Sequence, residues 1–79
     1  MHYVYLLRSA ADPDRHYVGQ TKDLKARLDR HNRGEVNHTS KYAPWVIETY
    51  LAFSDEVRAL AFERYLKSGS GRAFAKKRL

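Results

Sequence analysis

Two tyrosine triplets, Tyr3-Val4-Tyr5 and Tyr17-Val18-Gly19, are the first residues here whose types and spacing could do chemistry. Arg27 follows Tyr17 at a distance of ten positions, and Glu63 lies in a later apolar stretch. A phenol can move a proton, a guanidinium can grip a phosphate with two N–H groups, and a carboxylate can hold a hard cation. Together these groups suit phosphodiester hydrolysis better than they suit most binding modules.

Each residue also has a plainer reading. In a helix, Glu63 has Ala59, Leu60, Leu66 and Lys67 as its neighbours. A carboxylate among apolar groups is costly unless paired, hydrogen-bonded or metal-bound. The plain reading is an ion pair with Lys67 at the favourable four-residue spacing. The chemical reading is a ligand to a cation whose shell is completed by phosphate oxygens and waters. Arg27 and His31 lie one helical turn apart. Arg27 could neutralise a phosphate at the helix–sheet junction. His31 could donate to a phosphate oxygen or move a proton; its plain reading is a partly buried, satisfied histidine. The six tyrosines can equally fill a sheet face with their hydroxyls at the surface. A phenol acts as a base near neutral pH only where a cation or strong hydrogen bonds lower its pKa, so the tyrosine chemistry depends on the arginine and the metal. His2, His16, His31 and His38 match no common zinc spacing, and cysteine is absent. Gly69-Ser70-Gly71 is too short for a nucleotide-binding loop and reads as a hinge or turn beside Arg72.

The elements that must position these groups are legible in outline. Residues 3–8 read as a strand with Tyr3, Tyr5 and Leu7 on one face and Val4, Leu6 and Arg8 on the other. Pro13 between two aspartates marks a turn. Residues 15–20 read as a second strand, weakened by Gly19, where a bulge or close backbone approach is expected. A hairpin of these strands brings Tyr5 and Tyr17 near each other. Thr21 is placed to cap a helix over 22–33, with Leu24 and Leu28 inward and Gly34 just past its end. Residues 35–44 form a polar loop, and Trp45 to Phe53 a third strand rich in β-branched and aromatic residues. Ser54 is placed to cap a helix over 55–67, with Asp55 and Glu56 in its first turn. The Gly-Ser-Gly segment then breaks the chain before a short helix from Arg72 to Leu79. The order ββαβα(α) predicts an α/β (α+β) fold in one domain over 1–79: a small three-stranded, mostly antiparallel sheet flanked by two to three helices.

Composition narrows the partner. Fifteen Lys and Arg face nine Asp and Glu, for a formal charge of +6, which favours a polyanion, most often nucleic acid. Six of the basic residues follow Glu63 with no acidic residue among them. Lys22, Lys25, Arg27, Arg30 and Arg33 form a second cluster, and two such clusters flanking a site suit a phosphate track. No apolar run approaches the ~18 residues a membrane helix needs, and the N-terminus shows no signal pattern. With no cysteine, the expectation is a cytoplasmic protein without a membrane partner; no protein partner is inferable.

These residues, in this order, resemble the GIY-YIG nuclease superfamily. Tyr3-Val4-Tyr5 and Tyr17-Val18-Gly19 stand at its two triplets, Asp23 to Asn32 looks like its arginine helix, and Glu63 sits where it has a metal-binding glutamate. His38 to Trp45 and Lys67 to Arg72 resemble the small stand-alone bacterial members. The resemblance implies a one-metal endonuclease acting on DNA. Glu63 would hold Mg²⁺ or Mn²⁺, Arg27 would steady the scissile phosphate with His31 beside it, and Tyr5 or Tyr17, with Tyr17 slightly favoured, would help deprotonate the attacking water. Products would carry 5′-phosphate and 3′-hydroxyl ends. Gly19, Gln20, Lys25, Lys41, Lys67, Arg72, Lys76 and Lys77 are the expected nucleic-acid contacts. Two departures stand out: Tyr3 replaces the first glycine, and Gln20 stands where several repair-type members carry lysine, with Lys41 a candidate substitute cation. With no reader module such as a helix-turn-helix, cutting is expected to be structure-selective or single-strand-selective; DNA repair is one setting for it. The alternative is a nucleic-acid-binding protein that keeps the fold and cleaves weakly or not at all.

Overall fold

A computed structural model describes residues 1–79. Three strands, β1 (His2–Ser9), β2 (His16–Thr21) and β3 (Trp45–Phe53), form one antiparallel sheet in the order β2-β1-β3. Three helices, α1 (Leu24–Asn32), α2 (Glu56–Leu66) and α3 (Gly69–Arg78), complete the expected ββαβαα order. The predicted third strand matches β3 from end to end, and β1 and β2 differ from their predicted spans by one residue at each end.

β1 is central because it is apolar on both faces. Val4 and Leu6 pack with Ala59 and Leu66 of the helices on one side, joined by Val18, Phe53, Phe62 and Ala75. Tyr5 and Leu7 pack with Trp45 on the other side, where Leu24 and Leu28 of α1 close over them. The predicted alternation of faces therefore holds, and the inward stripe of α1 is the expected pair of leucines. A strand buried on both faces needs helices on both. The register of β1 and β3 shifts between Leu6 and Leu7, leaving Glu48 as the extra residue of a bulge.

Three local predictions are corrected. Asp23 rather than Thr21 caps α1, its carboxylate accepting from Ala26 N at 3.1 Å; Thr21 Oγ1 instead accepts from Asp23 N. Asp55 rather than Ser54 caps α2, accepting from Val57 N. In both places the charged side chain, complementary to the helix dipole, wins over a neighbouring hydroxyl. Gly69-Ser70-Gly71 is neither hinge nor break. Ser68 caps α3 by accepting from Gly71 N at 3.1 Å, and the three residues form that helix's first turn. Gly34 follows α1 with φ of 75°, as its expected place past the helix end requires.

Gly71 is there for space. A Cβ on it would run into the Tyr65 carbonyl and the Leu66 Cα, both backbone. Gly69 has nothing within 4 Å of the same position. We therefore predict that Gly71→Ala destabilises the protein by about 2–3 kcal/mol, and that Gly69→Ala is neutral or stabilises by up to about 1 kcal/mol. Urea denaturation of the two variants measures this; equal effects would contradict it.

Candidate active site

Antiparallel pairing places Tyr5 opposite Gly19. The Tyr5 ring crosses β2 at that point, and a Cβ on Gly19 would strike its Oη and Cζ. The close approach expected at Gly19 is thus to a side chain, with the ladder unbroken and no bulge. Tyr17 lies beside Tyr5, ring centroids 6.4 Å apart, as the hairpin predicted. His31 stands against both, its centroid 5.9 Å from Tyr5 and 5.0 Å from Tyr17. Arg27, one turn earlier on α1, donates its Nε–H to Tyr5 Oη at 3.3 Å.

His31 is fully buried and both ring nitrogens are engaged: Nε2 lies 3.0 Å from Tyr5 Oη, and Nδ1 lies 2.7 Å from Thr39 Oγ1. Burial, with Arg27 and Arg30 nearby, lowers its pKa from 6.5 to about 4, so the ring is neutral near pH 7. The tautomer is assigned from the partners. Thr39 Oγ1–H donates to the Val36 carbonyl at 3.3 Å, so its oxygen accepts from His31 Nδ1–H. His31 Nε2 then carries a lone pair and accepts from the Tyr5 O–H. The Tyr5 oxygen in turn accepts from Arg27 Nε–H, and each of these buried donors has an acceptor.

Tyr5 is nonetheless pushed above the usual phenol pKa, chiefly by burial. The Arg27 hydrogen bond and charge oppose this, while the Tyr17 and Glu63 charges add to it. Arg27 in turn is held more firmly charged, first through its hydrogen bond to Tyr5 and against its own burial. The resting phenol is therefore protonated at neutral pH.

Glu63 approaches from α2, close enough for its charge to act on Tyr5. Its side chain is 20% exposed and pairs with Lys67 Nζ at 2.8 Å. The plain reading of Glu63, a four-residue ion pair, is thus what the structure contains. It also leaves a partly exposed carboxylate within electrostatic reach of Tyr5. No group of three His, Cys, Asp or Glu residues gathers here; the donor set is one carboxylate, which suits Mg²⁺ held with substrate oxygens and waters.

The other predicted contacts are dispersed. Gln20 follows Gly19 on β2, opposite Val4. Lys25 is exposed on α1. Lys41 lies in the short 3-10 turn Ser40–Tyr42, over the Tyr42 ring at 5.8 Å; the cation facing Tyr5 is Arg27. Lys67, Arg72 and Lys76 line one groove, and Lys77 is exposed outside it. Sequence reasoning missed two supports. Thr39 is buried, holds His31, and accepts from Trp45 Nε1 at 2.8 Å through its carbonyl. Asn32 ties α1 to β3 by exchanging hydrogen bonds with the Trp45 backbone. An alternation or spacing signal could not have flagged either contact.

The fold and cluster have counterparts among known proteins. The family model for the GIY-YIG catalytic domain matches residues 1–78. The chain belongs to that family. It is similar to the structure-specific endonuclease subunit SLX1 of Candida dubliniensis, 37% identical over 71 residues, covering 81% of this chain and 25% of the relative. The chain thus spans about a quarter of that relative's length.

Because His31 binds fewer protons in the folded state than in the unfolded chain between pH 6.5 and about 4, stability falls as pH drops through that window. We predict a loss of about 2 kcal/mol from this group between pH 7.5 and 5. Urea midpoints across that range should show the loss, and His31→Gln should flatten it; an unaltered slope in the variant would contradict it.

Proposed function

We propose that the cluster hydrolyses DNA phosphodiester bonds with one divalent cation, Mg²⁺ or Mn²⁺, and a tyrosine as proton acceptor. The observation that carries this reading is the Arg27 N–H aimed at the Tyr5 oxygen, with His31 Nε2 in place to accept the Tyr5 hydroxyl hydrogen. Donors aimed where negative charge develops are worth most when they are in place beforehand. They favour Tyr5 over Tyr17 as the acceptor of the water's proton, the reverse of the order that the sequence resemblance implied.

Glu63 is the residue that would hold the cation, which when bound would supply positive charge to the scissile phosphate and the leaving 3′-oxygen. Glu63 now raises the Tyr5 pKa by its charge. A carboxylate neutralised by a divalent cation would cease to do so, and the net positive charge would favour the phenolate. In the loaded site Tyr5 would release its own proton to solvent, take a proton from the attacking water, and remain held by Arg27. Arg27 has further N–H groups for a phosphate oxygen. His31, with both nitrogens occupied, acts through Tyr5 rather than by touching the phosphate. Products would carry 5′-phosphate and 3′-hydroxyl ends.

The basic excess supports a nucleic-acid partner, and the compact basic surface supports structure-selective or single-strand-selective cutting by residues 1–79 acting as one domain in the cytoplasm. That the similar protein is named a structure-specific endonuclease subunit fits this reading. A weakly catalytic binding protein has no physical need for Glu63 within electrostatic reach of a buried phenol.

The test is incubation with labelled single-stranded, duplex and branched DNA in Mg²⁺, Mn²⁺ or EDTA. Cutting should require the cation and vanish in Glu63→Ala. Arg27→Ala should cut at least about tenfold more slowly with an unchanged circular dichroism spectrum. Undiminished cutting by Glu63→Ala would overturn the mechanism.

A further inference from the structure

A groove of about 770 Å³ opens between α3 and the sheet, on the face away from α1. Leu6, Val18, Leu66 and Ala75 line it with apolar surface, and Lys67, Arg72 and Lys76 supply cations. Its volume lies within the usual range for small-ligand sites. The charge is one-sided. Glu48 at one edge is its sole acidic lining residue, and that carboxylate is already faced by Arg8 at 3.6 Å and His16 at 3.7 Å. Arg72 and Lys76 make no ion pair within the protein. Two cations without internal partners beside an apolar lining fit a ligand with a flat apolar body and a phosphate.

The groove is also continuous with the candidate site. Lys67, which lines it, bonds to Glu63 Oε2 at 2.8 Å, and Tyr17 contributes to its wall. We propose that the groove is a nucleotide subsite, taking one unpaired nucleotide of the substrate strand next to the cleavage position. The base lies on the apolar residues, and its phosphate meets Arg72 and Lys76. A paired base cannot enter without leaving its stack, which costs a few kcal/mol. The groove therefore selects strands with an unpaired nucleotide beside the scissile bond. This inference rests on the endonuclease reading for its orientation toward Glu63, and its test does not depend on cleavage.

Protein carrying ¹³C-methyl labels is titrated with thymidine 3′,5′-bisphosphate, inorganic phosphate or hexanoate, in EDTA. Thymidine bisphosphate should shift the methyl resonances of Val18, Leu66 and Ala75, and inorganic phosphate should not. Arg72→Ala, an exposed change away from the catalytic cluster, should weaken nucleotide binding at least about fivefold with the spectrum otherwise retained. Absence of methyl shifts with the nucleotide, or the same shifts with hexanoate, would overturn the subsite. Failure here leaves metal-dependent cutting untouched, and loss of the nuclease mechanism leaves these shifts untouched, so the two readings fail separately.

Discussion

The position of one phenol governs the rest of this structure. Tyr5 projects from the central strand across Gly19, and its oxygen meets Arg27 and His31 on a helix that follows β2. Any side chain at position 19 would displace that ring. Any drift of α1 would part the hydroxyl from its two partners. The remaining architecture prevents that drift. Leu24 and Leu28 seat α1 on the sheet, Asn32 ties its end to Trp45, and Thr39 braces the far side of His31. Trp45 joins the two supports, since its backbone bonds to Asn32 while its indole N–H bonds to the Thr39 carbonyl.

The electrostatics of the cluster oppose one another in an informative way. Burial alone would keep Tyr5 neutral and make it a poor base. The same burial keeps His31 neutral, so that its Nε2 accepts the Tyr5 hydrogen without adding a second full charge beside Arg27. The result is a phenol that rests protonated, with the Arg27 N–H already aimed at its oxygen. What it lacks is positive charge, and in the proposed mechanism a cation at Glu63 would bring it. The cation proposed there thus answers to the tyrosine environment as much as to phosphate chemistry.

Much of this was legible in the chain. The β-rich stretch from Trp45 to Phe53 marked a strand, and alternation in β1 separated its two faces. The Tyr5–Tyr17 proximity followed from hairpin logic, and Arg27 and His31 from helical spacing. The caps were misplaced because Thr21 and Ser54 lie within two residues of Asp23 and Asp55, and all three residue types cap well. Gly69-Ser70-Gly71 misled because composition says turn, while a Ser68 cap and the close approach of Gly71 to Tyr65 say helix. Thr39 and Asn32 were silent because their roles lie in contacts with His31 and with Trp45, across loop and sheet. The preference between the tyrosines needed the direction of each ring, which spacing does not contain.

The most direct measurement is the single-turnover cleavage rate of Tyr5→Phe and Tyr17→Phe, each on single-stranded and branched DNA in saturating Mg²⁺. If the Tyr5 oxygen is the proton acceptor held by Arg27 and His31, Tyr5→Phe loses at least about a hundredfold in rate, and Tyr17→Phe loses far less. A larger loss in Tyr17→Phe, or a Tyr5→Phe enzyme that cuts at the parent rate, would contradict it.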